Sequence, residues 1–215
     1  MQSEESVEEF LKENLISEVE CLVPDITGNA RGKFIPANKF VKEDSRLPEG
    51  ILAQTVTGEY SDDFWELLGT VDGDMLLEPD PSTMREVPWA NEATVQIIHD
   101  CFTKDGKPHP FSSRNVLKRI LALYEAKGLK PVIAPEVEFY LIEKNIDPDS
   151  ALKPPIGRSG RHETARQSYS IDAANEFEDF VETMYSYGGA MGLDLDTLIH
   201  ESGAAQLEVN FIHGD

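Results

Sequence analysis

Between residues 3 and 16 the apolar side chains fall at helical spacing. Val7, Phe10, Leu11, Asn14 and Leu15 stand at i, i+3, i+4, i+7 and i+8, which predicts a helix with a mostly apolar stripe. "EVECLVPDI" then alternates with a period of two, the pattern of a half-buried strand. Gly28 and Gly32 in "TGNARGK" mark a turn. Further strands are predicted at 33–36, 51–57, 74–78 and 93–102, and the prolines of "EPDPSTMREVP" make that stretch a loop. One helix and several short strands define an α+β module.

"TKDGKPHPFSS" carries Asp-Gly and two prolines, so a domain boundary is placed near residue 108, dividing 1–107 from 108–215. A helix follows from Ser113 to Lys127, with Val116, Leu117, Ile120, Leu121 and Tyr124 as its buried face. Ser112 or Ser113 can cap its start, and Gly128 sits where a left-handed C-cap belongs. Residues 145–170 hold Lys153, Arg158, Arg161 and Arg166, a basic island that reads either as a loop meeting an anion such as a nucleotide or as a mobile surface loop. A second helix is predicted from about Ala173 to Tyr187, with a stripe of Phe177, Phe180, Val181 and Met184, ended by Gly188-Gly189.

Two strand-like stretches carry acids within apolar runs. In "PVIAPEVEFYLIE", Glu136, Glu138 and Tyr140 share one face and Val137, Phe139 and Leu141 the other. In "AQLEVNF", Gln206, Glu208 and Asn210 share one face and Leu207, Val209 and Phe211 the other. Just upstream, "IHE" ends a strand at Glu201 and Ser202-Gly203 breaks the chain, so a returning strand can bring Glu201 and Glu208 together. These acids line a wet face, or they converge. Converging carboxylates need compensation, and hard divalent cations supply it through oxygen ligands. His200 reads as a ligand, a base or a hydrogen-bonded structural residue.

Composition narrows the picture. The net charge of −21 excludes a phosphate-backbone binder and suits cations and amines. Cys21 and Cys101 form no disulfide framework or CxxC motif, which places the chain in a reducing cytosol. "MQSEESVEEF" lacks the basic and apolar regions of a secretory signal, and no apolar run reaches the ~20 residues of a membrane helix, so a cytoplasmic location is expected. No EF-hand loop, P-loop, GxSxG elbow or HExxH is present.

At the acidic strands the sequence resembles the glutamine synthetase family. "PEVEFYL" is similar to that family's first metal-binding strand, and "HESGAAQLEVNF" to its segment with two further metal-binding glutamates, written H-E-x-x-x-G-Q-x-E. "DITGNARGKFIPANKF" is similar to its early strand–loop–strand, "DGDMLLEPDPSTMREVPW" to its D-M-x-L-x-P-D-x-x-T stretch, and "SSRNVLKRIL" to the helix that usually opens with Asp-Pro-Arg. The likeness runs from about residue 15 to 215.

The resemblance implies an α+β fold: a β-grasp-like N-terminal domain, then the first part of a glutamine synthetase-type catalytic domain. It implies rings of identical subunits, the small domain completing a neighbour's site. The implied chemistry is ATP-dependent ligation of glutamate to an amine through γ-glutamyl phosphate, with Mg²⁺ or Mn²⁺ neutralising crowded oxygens. Glu138, Glu201 and Glu208 match the ligands of one metal, and Glu136 matches one ligand of a second. Tyr169 and Asp196 fall near the nucleotide, the family often having Glu in place of Asp196, and His213 lies close to a nucleotide-contacting segment.

Two departures bear on substrate and completeness. Where the family usually has Asp-Gly-Ser-Ser in its ammonium loop, this chain has "GEYSDDFW", so Asp62 or Asp63 supplies the catalytic acid of the acceptor site. This is closest to the γ-glutamylpolyamine synthetase branch, which joins glutamate to putrescine or related amines. Family members are also about twice as long, with the remaining metal ligands and phosphate-clamping arginines beyond residue 215, so this chain alone is expected not to catalyse. A glutamine synthetase using ammonia and a non-catalytic binding or assembly protein are the alternatives.

Overall fold

The computed structural model describes residues 4–42, 44–69 and 71–214. The chain forms two compact units, Met1–Lys130 and Pro131–Asp215.

The first unit opens with α1 (Glu4–Glu13), which buries Val7 and Leu11 against Val19, Cys21, Val95 and Ile97. The helix is shorter than its apolar stripe. Leu15 takes a left-handed φ of 52° and is 81% exposed, because the chain turns there to enter β1 (Glu18–Pro24). Residue 3 lies outside the described residues. β2 (Ala30–Pro36) returns antiparallel to β1. Gly28, at φ 83°, makes the turn, but Gly32 lies inside β2 opposite Leu22. A Cβ at Gly32 would stand 2.0 Å from the Cys21 carbonyl oxygen, so close strand approach is what requires glycine there.

α2 (Ala37–Phe40) and β3 (Ser45–Pro48) follow. The strand expected at 51–57 does not form. Glu49–Ala53 is a 3₁₀ turn, with the Gly50 N–H held by Asp72 Oδ1 at 2.9 Å. The chain then doubles back, with Gly58 at φ 86° and a lone bridge between Gln54 and Tyr60. After α3 (Phe64–Leu68) come β4 (Asp74–Pro79), β5 (Arg85–Glu86) and β6 (Thr94–Phe102). The sheet order is β2-β1-β6-β4-β3, with β5 also on β6; only β1 and β6 run parallel.

α4 (Ser113–Glu125) is capped by Ser112 Oγ, which accepts from the Asn115 N–H, and Gly128 turns out of the helix at φ 69°. Its expected apolar face is not buried: Val116, Leu117, Ile120, Leu121 and Tyr124 are 36% to 52% exposed. Polar contacts near its start fasten it instead. Arg114 pairs with Asp80 and Asp100, Lys118 with Asp100, and Asn115 Nδ2 donates to the Cys101 carbonyl at 2.6 Å.

The second unit is an antiparallel sheet of β7 (Glu136–Tyr140), β9 (Gln206–Phe211) and β8 (Leu195–His200), in that spatial order. Two helices replace the one expected at 173–187. α5 (Ile171–Asn175) is capped by Ser170 Oγ, and α6 (Glu178–Ala190) begins after buried Phe177, which leaves helical geometry at φ −117°, ψ 30°. α6 runs through Gly188-Gly189 rather than ending there. A Cβ at Gly188 would lie 2.4 Å from Leu195 Cδ1, so this glycine admits β8 against the helix, and Gly192 (φ 67°) makes the reversal. Phe139, on the face of β7 away from its glutamates, meets Phe180 edge-on at 5.7 Å.

Candidate metal centre

Register brings the acids together. Glu138 on β7 stands directly opposite Glu208 on β9, a separation at which side chains of one face touch. On the other flank of β9, Glu208 pairs with Ile199. Glu201, two residues on, therefore returns to the same face, and its N–H donates to the Gln206 carbonyl at 2.8 Å. One oxygen from each of Glu138, Glu201 and Glu208 lies within 4.8 Å of the other two. Glu208 is buried, Glu201 half-buried and Glu138 exposed. Among the described residues, no basic side chain is ion-paired with any of the three.

Three like charges at this spacing repel by about 3.5 kcal/mol per pair at an effective dielectric of 20, less where water reaches Glu138. An oxygen-seeking divalent cation would convert that repulsion into attraction. The donor set fits such an ion: all oxygen, with two strands and a turn fixing its geometry. Buried Asn210 Oδ1, on the same face of β9, has no hydrogen-bond partner, while Asn210 Nδ2 donates to Thr197 Oγ1 at 3.2 Å.

The surroundings hold each acid differently. Gln206 Nε2 donates to Glu138 Oε2 at 2.8 Å, while its Oε1 accepts from the Gly203 N–H at 2.8 Å. Tyr140 closes over the turn, where a Cβ on Gly203 would meet its hydroxyl at 2.5 Å. His200 is buried, with Nδ1 2.8 Å from the Glu201 carbonyl and Nε2 2.9 Å from Glu163 Oε2. Of the three readings of His200, the structural one fits, since both ring nitrogens are engaged by protein acceptors. Glu163, missed in the sequence, also accepts the Ala205 N–H at 2.9 Å. Its only sequence signal is an acid inside a basic loop.

The other expected site residues lie as follows. Glu136 stands opposite Asn210 on the glutamate face but is exposed and outside the three-oxygen cluster. Tyr169 is exposed, with a left-handed φ of 58°, and its N–H donates to the His200 carbonyl at 2.8 Å. Asp196 is exposed at the β8 bulge, where the register slips between Leu195 and Thr197. His213 is exposed just past β9. Asp62 and Asp63 belong to the first unit and are both exposed; Asp63 is the N-cap residue of α3, its carbonyl accepting from Glu66 and Leu67 at 3.0 Å.

The likeness to solved structures shows that the fold is of the glutamine synthetase type. A solved glutamine synthase homolog superimposes with a TM-score of 0.73 at 22% identity, covering 93% of this chain and 44% of that one. The Plasmodium falciparum glutamine synthetase gives a TM-score of 0.74 at 15% identity, covering 100% of this chain and 45% of that one. Residues 110–215 match the family model for the glutamine synthetase catalytic domain. The chain is 32% identical over 199 residues to a glutamine synthetase of Pyrococcus horikoshii, covering 92% of this chain and 40% of that protein. It is 28% identical over 201 residues to the gamma-glutamylputrescine synthetase of Escherichia coli, with 92% and 42% covered. A glutamate–isopropylamine ligase of a Pseudomonas species is 29% identical over 218 residues, with 97% and 46% covered. The chain belongs to the glutamine synthetase family. It spans about 40% of the length of the curated relatives it matches.

Proposed function

We propose that this chain is the first part of an ATP-dependent glutamate–amine ligase and carries the three-carboxylate half of its divalent-metal centre. The convergence of Glu138, Glu201 and Glu208 oxygens within 4.8 Å is the observation that supports it best. In this reading those residues hold one Mg²⁺ or Mn²⁺ ion and Glu136 contributes to a second. A bound divalent ion supplies charge neutralisation for phosphate and carboxylate oxygens. The side chains from this unit fix where those oxygens can sit; Tyr169, Asp196 and His213 border the nucleotide.

The acceptor is read as a polyamine such as putrescine. The exposed Asp62 and Asp63, and a net charge of −21, suit a cationic amine. The amino half is read as a β-grasp-like domain, supported by its mixed sheet with one parallel pair. The catalytic region is taken as 108–215, in keeping with the family match from residue 110. The full-length enzyme is read as a cytoplasmic ring of subunits.

The test is product analysis with full-length protein, glutamate, ATP and Mg²⁺, offering putrescine and ammonium in parallel. A γ-glutamylputrescine product supports the reading. The second reading, an ammonia-using glutamine synthetase, is favoured by the 32% identity to the Pyrococcus protein. ATP consumption with ammonium alone would establish it over the first.

A further inference from the structure

We infer that Glu163 is a positioning residue for the three-carboxylate centre, acting through His200 and the turn that joins Glu201 to Glu208. The inference rests on the metal reading of that centre.

The β8–β9 ladder stops at the His200–Leu207 pair. Glu201 therefore sits beyond the last ladder rung, facing two other carboxylates that push it away when no cation is bound. Its backbone needs another restraint. Glu163 arrives from the loop before α5, its side chain only 11% exposed, and spans the turn. A single oxygen, Oε2, meets His200 Nε2 at 2.9 Å and the Ala205 N–H at 2.9 Å. His200 is the last residue of β8 and Ala205 the residue before β9, so one carboxylate oxygen ties both ends of the turn.

The restraint then reaches the ligand. A carbonyl oxygen only accepts, so His200 Nδ1–H donates to the Glu201 carbonyl at 2.8 Å. The sequence of contacts runs Glu163 carboxylate, imidazole, Glu201 peptide. Ala205 adds a second route: it holds a left-handed φ of 54°, unfavourable for a residue with a Cβ, and the Glu163 bond secures it. The other Glu163 oxygen, Oε1, is buried without a partner, so Oε2 alone carries the function. Outer-shell hydrogen bonds of this kind set metal affinity by fixing ligand orientation.

Mn²⁺ alone is titrated into the full chain and its variants, followed by electron paramagnetic resonance, with unfolding of the unloaded chains measured alongside. Glu163→Ala and His200→Ala are each expected to weaken Mn²⁺ about 10–100-fold. The double variant should bind more weakly than His200→Ala only by the loss of the Ala205 route, and short of the product of the two single effects, because the two residues share the path through His200. Two further variants separate position from charge and serve if the alanine variants do not fold. Glu163→Gln keeps an acceptor oxygen at full reach and should bind within about threefold of wild type. Glu163→Asp keeps the charge but withdraws it by one methylene, and should bind as weakly as Glu163→Ala. Asp binding like wild type while Gln fails, or Glu163→Ala within about twofold of wild type, overturns the inference. Glu208→Ala is the control. If it binds Mn²⁺ as wild type does, the metal reading itself fails; if it abolishes binding while the Glu163 series is flat, only this inference fails.

Discussion

Glu208→Gln should raise the stability of the unloaded chain while removing its response to metal. Glu208 is 7% exposed, and its oxygen lies within 4.8 Å of oxygens on both Glu138 and Glu201. At an effective dielectric of 20 each pair repels by about 3.5 kcal/mol, so two pairs set an upper figure of about 7 kcal/mol. Glu138 is exposed and Glu201 half-buried, and screening reduces the expected gain to about 1–2 kcal/mol. Glutamine keeps the shape and removes the charge. A chain of this size gains about 2–4 °C per kcal/mol, so in EDTA the variant should melt about 2–8 °C above wild type. Mn²⁺ at a hundred times its Kd should stabilise wild type by about 2.7 kcal/mol and the variant hardly at all, reversing their order. Scanning calorimetry in EDTA and in Mn²⁺ reads both. A Glu208→Gln chain that melts below wild type in EDTA, or keeps the Mn²⁺-induced rise, refutes the argument.

Other expectations concern the scaffold. Gly188→Ala should destabilise by about 1–2 kcal/mol, since overpacking against Leu195, where a Cβ would come within 2.4 Å of Cδ1, outweighs the gain in helix propensity. Urea titration should show the loss reduced when Leu195→Ala is combined with it, and independent effects would count against the packing account. Burial drives His99 down to about 4, partly opposed by its bond to the Ile97 carbonyl. Unfolded histidine binds its proton near pH 6.5, so stability from this residue is complete above that pH and falls as pH drops toward 4, by of the order of 3 kcal/mol. His99→Leu should flatten the dependence between those limits, and an unchanged slope in denaturant titrations at each pH would contradict the assignment. Burial pushes the Cys21 and Cys101 thiols up to about 11, so a disulfide reagent at pH 8 should label them only at the rate of unfolding. Fast labelling of the native chain would be inconsistent with it.

Period-two alternation made the acidic strands legible, because register follows once a face is apolar. Phe139 and Leu207 had to point one way, so Glu138 and Glu208 pointed the other, and the ladder sets them opposite. Glu163 was not legible, since its contact with His200 spans 37 residues of irregular chain and leaves no periodic trace. The helix at α4 could be read from its spacing and from Ser112 and Gly128, but spacing reports an apolar face, not what covers it. The segment "ILAQTVTGE" imitates a strand through Val56 and its flanking threonines, whereas a side chain 22 residues away, Asp72, fixes the Gly50 amide in a turn. A long-range hydrogen bond overrode local propensity there.

In the proposed centre each acid is restrained by a different device, and that difference predicts how the centre should fail. Glu208 is flanked by β7 and β8 and buried, so its position belongs to the sheet itself. Glu138 is on an outer strand of that sheet and exposed; its carboxylate is steered by Gln206, whose other end is fixed to the Gly203 amide. Glu201 lies past the ladder and depends on the turn. Without a cation, mutual repulsion acts on all three; the exposed Glu138 can swing its side chain away, but only at Glu201 can the backbone itself yield without breaking strand pairing. The metal-free chain should therefore loosen first at residues 201–205, while β7–β9 pairing persists. Amide hydrogen exchange should show the Glu201 N–H, bonded to the Gln206 carbonyl, protected far more by Mn²⁺ than the amides of Val137 and Val209. Equal protection across the three would mean that the sheet, not the turn, yields to the repulsion.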